Sequence, residues 1–368
     1  MGRRLRIGID AHAIGERKTG NERFIANLIP ALQAASDHEF VLYFTHPSAM
    51  QAWASHERTR VRLMKPDNPL VRIPFVLPWM ARRDEVDVLF VQYTVPPVSP
   101  CPVVTVVHDV AFALMPQFYS RAEQVWMRRT IPWSMRHAAR VVTVSEFSRD
   151  EIRRVYGLPE SRIVVAHNGI APEFSDGRAR PSPVEAPFFL SIGNLQPRKN
   201  LITLVKAYRA LVASYPEVPE KLVIVGQEWR GDTASELQRE TSDLQAAGRV
   251  VFTGYIGDDE LIGLLQRATA FAYPSIYEGF GLPPVEAMAA GTPALVADIP
   301  ATREVIADAG LRLPATDVDS WADALHRMAT DPPARTDLIE RGHRRAATFT
   351  WQRSAERILE ALEAAAEG

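Results

Sequence analysis

The sequence predicts an α/β protein built from two doubly wound, Rossmann-like domains. Three observations carry that expectation. Short apolar runs alternate with helical patterns along nearly the whole chain, which is the rhythm of repeated β–α units. Several of those runs lack polar alternation, as strands buried on both faces of a parallel sheet do. The chain has 368 residues, more than one core usually serves, so two domains of ~150–200 residues each are expected.

In the first half the expected strands are RIGID (6–10), FVLYFT (40–45), VDVLFVQ (86–92), VVTVVHD (103–109), RVVTVSE (140–146) and RIVVAHN (162–168). A helix from about Asn21 to Leu32 follows the first strand, because Phe24, Ile25, Leu28 and Leu32 recur at helical spacing. Asp150 to Tyr156 forms another. The stretch SDGRARPSPVEAP (175–187) has no periodicity and reads as an interdomain linker. The pattern then restarts with FFLSIG (188–193), KLVIVG (221–226), VVFTGYI (250–256), AFAYPS (270–275) and PALVADI (293–299). The helix LITLVKAYRALV (201–212) has an apolar face and Asn200 as its expected N-cap. A last helical segment, Trp351 to Ala365, is expected to pack back onto the first domain. The expected division is therefore 1–180, 181–350 and a returning C-terminal helix, 351–368.

Composition narrows the function. Lys+Arg 42 against Asp+Glu 44 leaves a net charge of −2, so no global field favours nucleic acid. A single cysteine, Cys101, rules out an intrachain disulfide and a cysteine-based zinc site; a buried thiol in a reducing compartment is the favoured reading. The N-terminal MGRRLRIGID is basic, but Gly8 and Asp10 break its apolar run, unlike a signal peptide. No window approaches the ~18 apolar residues of a spanning helix, and a cytoplasmic location is expected.

Doubly wound sheets bind ligands outside the carboxyl ends of their strands, so residues there come first. Arg198 and Lys199, in IGNLQPRKN, stand between a strand and a helix N-terminus. A guanidinium, an ammonium and free helix N–H groups together suit a diphosphate; the plainer alternative is a solvated basic turn. In YEGFGLPPVEAMAAG (277–291), Glu278 lies in the loop after AFAYPS. Pro283 and Pro284 suit a first helical turn, so the helix is expected to begin near Pro284 with Glu286 in that turn and Gly291 ending it. Gly279 and Gly281 would expose the N–H groups around Phe280 and Leu282, and carboxylates flanking such a loop suit a polyhydroxylated molecule. His108 ends VVTVV and is a candidate polar contact or acid/base group; His12 and His167 are similarly placed. Gly20 precedes the first helix, but Asn21-Glu22 replaces the Lys-Ser/Thr of a P-loop. Asp317-Val318-Asp319 is read as a helix N-cap rather than a metal motif.

The ordered set of segments resembles retaining glycosyltransferase family 4, which has the GT-B fold. EGFGLPPVE is similar to the family's E-x7-E motif, and IGIDAHAIGERKTGNERFIANL, VVHDVAF, VVTVSEFSRDEI, HNGI, GNLQPRKN, FTGYI and REVIADAGL fall in the family's order. The resemblance implies that two domains face a central cleft and that Arg198 and Lys199 bind the diphosphate of a sugar nucleotide. It implies that Glu286 accepts hydrogen bonds from the ribose. Glu278 would lie beside the donor sugar, with N–H groups around Phe280, Gly281 and Leu282 on its hydroxyls. It places Thr253, Tyr255 and Ile256 near the nucleobase, His108 on the donor sugar, and Gly20 by the phosphates or acceptor. Where many members carry an arginine or small hydroxyl residue after the glycine of the phosphate strand, this chain has Asn194.

The implied activity is transfer of a hexose, with mannose from GDP-mannose expected from similarity to the mannosyltransferase-type branch. The donor would be a GDP- or UDP-sugar, the acceptor a glycan or a lipid-linked molecule, and no metal would be obligatory. A sugar-nucleotide epimerase, a phosphorylase, or a non-catalytic sugar-nucleotide-binding module are the alternatives. LVRIPFVLPWMARR (70–83) and QVWMRRTIPW (124–133) mix Trp, Met and Arg. They would suit peripheral contact with the inner face of a membrane, or else supply core residues beside exposed cations.

Overall fold

The computed structural model describes residues 3–15, 20–53, 58–226 and 232–368. It divides into two compact units, one of residues up to Gly169 together with Thr350–Gly368, the other Ile170–Phe349. The helix Trp351–Glu367 packs against the helix Gly20–Ala35 and against the first unit's sheet.

The first unit holds β1 (Arg6–Asp10), β2 (Glu39–Phe44), β3 (Thr59–Leu63), β4 (Val88–Gln92), β5 (Val103–Val106), β6 (Arg140–Thr143) and β7 (Ile163–Val165). They form one parallel sheet in the order β3-β2-β1-β4-β5-β6-β7. One face is covered by the helices Leu77–Arg83, Arg121–His137 and Glu146–Tyr156, through Leu77, Met80, Ile131, Met135 and Ile152. β4 and β5 are buried at every position, which is why their sequences carry no alternation.

The second unit holds β8 (Phe188–Ile192), β9 (Lys221–Val225), β10 (Val250–Gly254), β11 (Ala270–Tyr273), β12 (Ala294–Ala297) and β13 (Leu311–Leu313). Their order is β10-β9-β8-β11-β12-β13, again all parallel. The helices Leu201–Ser214 and Val318–Thr330 bury Leu204, Tyr208, Trp321 and Leu325 on one face of that sheet.

Four expectations are corrected. The division falls after Gly169 rather than at 180/181. Residues 176–181 are not a loose linker: Arg180 pairs with Asp259 at 2.9 Å, and its backbone N–H donates to Gln266. The chain lies so close to the helix Asp258–Arg267 that a Cβ on Gly263 would sit 1.9 Å from the Pro181 carbonyl oxygen. Asn200 does not cap its helix with its side chain. Its backbone is left-handed (φ 54°), and its amide donates instead to the carbonyls of Pro274 and Ala315. The helix after Gly281 begins at Leu282, which puts Glu286 on its fifth residue, in the second turn rather than the first. Asp317 does cap its helix, accepting from the Ser320 N–H.

Candidate active site

In the second unit the strand order reverses between β8 and β11. At such a point adjacent connections leave in opposite directions and open a crevice at the strands' carboxyl ends. Arg198 and Lys199 follow β8, and Glu278 follows β11. Sheet order thus brings together charges that stand far apart in the chain.

The two loops are stitched by backbone. The Arg198 carbonyl accepts from the Ile276 N–H at 2.9 Å and from the Ser275 hydroxyl at 3.1 Å. The Arg198 guanidinium donates to the Tyr277 carbonyl at 3.1 Å and to Gln196 at 3.0 Å. These contacts fix the side chains before any ligand contributes.

The charges converge on one atom. Glu278 Oε1 lies 2.9 Å from Arg198 Nη1 and 2.6 Å from Lys199 Nζ, and it accepts from Ser275 Oγ at 2.5 Å. Lys199 Nζ also donates to the Tyr273 hydroxyl at 2.8 Å. Glu278 is buried. Burial alone would raise its pKa, but Arg198, Lys199 and the Ser275 hydroxyl outweigh it and hold the carboxyl at about 2. Burial pushes the Tyr273 phenol well above its usual range; the Glu278 charge adds to this, Arg198 opposes it, and Glu286 adds further. Glu286 is buried in the next helix and contributes to the same field.

Between the two glutamates the backbone turns sharply. Gly281 has φ +92°, a conformation that side chains rarely adopt, and it leads directly into Leu282 at the helix start. The Phe280 side chain is turned into the interior, edge-on to Phe349 with centroids 5.4 Å apart, so only its backbone remains for a ligand.

The other candidates stand apart from this cluster. Thr253, Tyr255 and Ile256 lie at the end of β10, two strands from β8 in the sheet, with Tyr255 exposed. His108 and Gly20 belong to the first unit. His108 is partly buried between Phe24 and Tyr93, with Nε2 3.3 Å from Gln92 Oε1, and burial lowers its pKa to about 4. It is therefore a neutral imidazole near pH 7. Gly20 is the first residue of its helix and exposed, whereas loop residues 16–19 lie outside the described residues.

Sequence reasoning missed Tyr273 and Ser275. Their signal was available: Tyr273 ends β11 and Ser275 follows within two positions, at the strand end where ligands gather.

A family model described as "Glycosyl transferases group 1" matches residues 175–345, and one described as "Glycosyltransferase Family 4" matches residues 19–174. O-antigen chain mannosyltransferase B of Escherichia coli is 31% identical over 270 residues, covering 71% of this chain and 70% of that one. O-antigen chain mannosyltransferase RfbU of Salmonella typhimurium is 31% identical over 229 residues, covering 62% of this chain and 61% of its own, less than two thirds of that relative. Among solved structures, WaaG, a glycosyltransferase involved in lipopolysaccharide biosynthesis, superposes with a TM-score of 0.74 at 16% identity, covering 97% of this chain and 99% of the other. Anabaena HepE in complex with UDP and glucose superposes with a TM-score of 0.73 at 18% identity, with the same coverage, 97% and 99%.

Proposed function

The chain belongs to the group 1, family 4 glycosyltransferases and has their GT-B fold, and from that premise we propose that it is a retaining enzyme moving mannose from GDP-mannose to a glycan or lipid-linked acceptor. The observation that carries this reading is the convergence of Arg198 and Lys199 on Glu278 at the point where the sheet order reverses. The mannosyl specificity rests on the two O-antigen mannosyltransferase relatives.

In the proposed reaction the bond between the sugar's anomeric carbon and the diphosphate breaks, and its electron pair leaves with the diphosphate. The acceptor hydroxyl oxygen bonds to the same carbon and gives up its proton to an oxygen of the departing diphosphate. Arg198, Lys199 and the N-terminus of the helix Leu201–Ser214 meet the charge growing on the diphosphate, so the step has no need of an obligatory metal. Glu278 stays ionised, held so by the donors on its Oε1, and stabilises the positive character of the sugar. Glu286 takes the ribose hydroxyls, the N–H groups around Phe280, Gly281 and Leu282 hold the sugar, and Thr253, Tyr255 and Ile256 flank the base. His108 acts as a neutral hydrogen-bonding group.

One solved neighbour is a complex with UDP and glucose, which favours a UDP-sugar as the second reading of the donor. Thermal stabilisation by GDP, UDP and ADP, followed by nucleoside diphosphate release from the matching sugars, separates the readings. Larger stabilisation by GDP, with GDP-mannose turned over to an α-linked product by NMR, is the expected result. Preference for UDP moves the donor assignment, and an inverted anomer removes the retaining mechanism.

A further inference from the structure

Most large apolar side chains of the first unit are buried, but the segment following β3 is an exception. Leu70, Phe75 and Trp79 are 63%, 68% and 60% exposed, and Val71 is exposed beside them. The segment runs as a short helix Pro69–Val71, a π-turn Arg72–Val76 and the helix Leu77–Arg83. Its inward face is Arg72, Leu77, Met80 and Ala81, all buried. Its outward face is the stripe Val71, Phe75, Trp79, Arg83, spaced by four residues, and the Arg83 guanidinium lies 5.6 Å from the Trp79 ring centroid. The core reading of this stretch therefore holds for one face only.

Within 69–83 the charge has one sign. Residues 69–83 contain no Asp or Glu, and Arg82 and Arg83 are exposed at the end of the stripe. The helix Arg121–His137, packed in the same layer on the same face of the sheet, repeats the pattern. Val125 and Trp126 are exposed there, next to exposed Arg121, Arg128 and Arg129, with Glu123 as the helix's acidic residue. Exposed aromatic rings combined with arginines on helical faces match an anionic lipid surface: the rings settle at headgroup depth while the guanidiniums meet phosphates.

We infer that the outward faces of 69–83 and 121–137 form a docking surface for an anionic bilayer, independent of which donor or acceptor the enzyme uses. Co-sedimentation with phosphatidylglycerol vesicles and with phosphatidylcholine vesicles tests it. The protein is expected to pellet with the anionic vesicles, to do so less as salt rises, and to stay in solution with the neutral ones. F75S/W79S and R82E/R83E are each expected to weaken that binding by at least about 10-fold. Their thermal stabilisation by nucleoside diphosphate should match the parent's, which shows that they fold. No pelleting of the parent, or equal pelleting of folded variants, overturns the inference. So does a parent dimer in light scattering that F75S/W79S dissociates without any vesicle binding, which would assign the stripe to a second copy of this chain.

Discussion

His108, partly buried, and Glu278, buried, are two titratable groups with opposite fates. Both follow a strand at its carboxyl end, one in each unit. His108 is packed between two aromatic rings with one amide for a partner, and burial lowers its pKa to about 4, leaving it uncharged near pH 7. Glu278 meets the same penalty but has two cations and a hydroxyl on a single oxygen, and it stays charged with a pKa of about 2. Burial sets the cost of a charge, and neighbours decide whether the charge survives. The first unit accordingly offers a hydrogen-bonding group at this position, and the second a fixed field.

The largest effect should come from removing a cation. Arg198→Ala and Lys199→Ala are each expected to lower nucleoside diphosphate release by about 10²–10³-fold, while cooperative unfolding persists because the other cation still faces Glu278. Full turnover in either variant would sink the site assignment. Next is Glu278→Gln, which removes the shared negative charge and leaves two cations for the ligand. Transfer should fall by about 10²-fold while nucleoside diphosphate binds at least as tightly in calorimetry. Weaker binding would show that the carboxylate holds the cations in place rather than competing for them.

Acid titration tests the comparison directly. The His108 pKa in the fold, about 4, lies below its ordinary 6.5. The unfolded chain therefore takes up the proton first, and stability falls as pH drops from 6.5 towards 4, by up to about 3 kcal/mol. The Glu278 pKa is also lowered, from 4.5 to about 2, but here the charged form is the favoured one. Its contribution is complete above pH 4.5 and is lost as pH falls through about 2. Urea unfolding between pH 4 and 7 should show the first slope in the parent and a flatter one in His108→Gln; an unchanged slope would reject the neutral imidazole. The smallest effect is expected from Tyr273→Phe, which removes one of the Lys199 contacts at 2.8 Å. It should cost about 1 kcal/mol in thermal unfolding and a few-fold in turnover.

Much of the fold was legible because strand and helix signals are local. β4, β5, β8 and β11 are apolar runs buried at nearly every position, so composition alone marks them. β3 and β13 escaped because they are edge strands: TRVRL and LRL carry arginines to solvent and have no apolar run to notice. The helix opens at Leu282, two residues before the expected Pro284, because proline is acceptable through the whole first turn and so does not mark which residue opens it. Asn200 has the residue type of a cap, but its side-chain partners, the carbonyls of Pro274 and Ala315, lie far away in sequence and are set by packing across space.

By itself the sequence determined the two-domain α/β class, the placement of Arg198, Lys199 and Glu278 at strand ends, and the glycine that lets the chain turn at 281. Hydrophobic period, proline and glycine act over a few residues, so one dimension is enough to read them. Only the tertiary structure decided that β8 and β11 are neighbours, and hence that Lys199 reaches a carboxylate 79 positions away. It alone added Tyr273 and Ser275 to the site, kept Glu278 charged, and turned Phe75 and Trp79 outward. Strand order, pairing of charges and exposure depend on what packs across space, and the order of residues along the chain does not fix those distances.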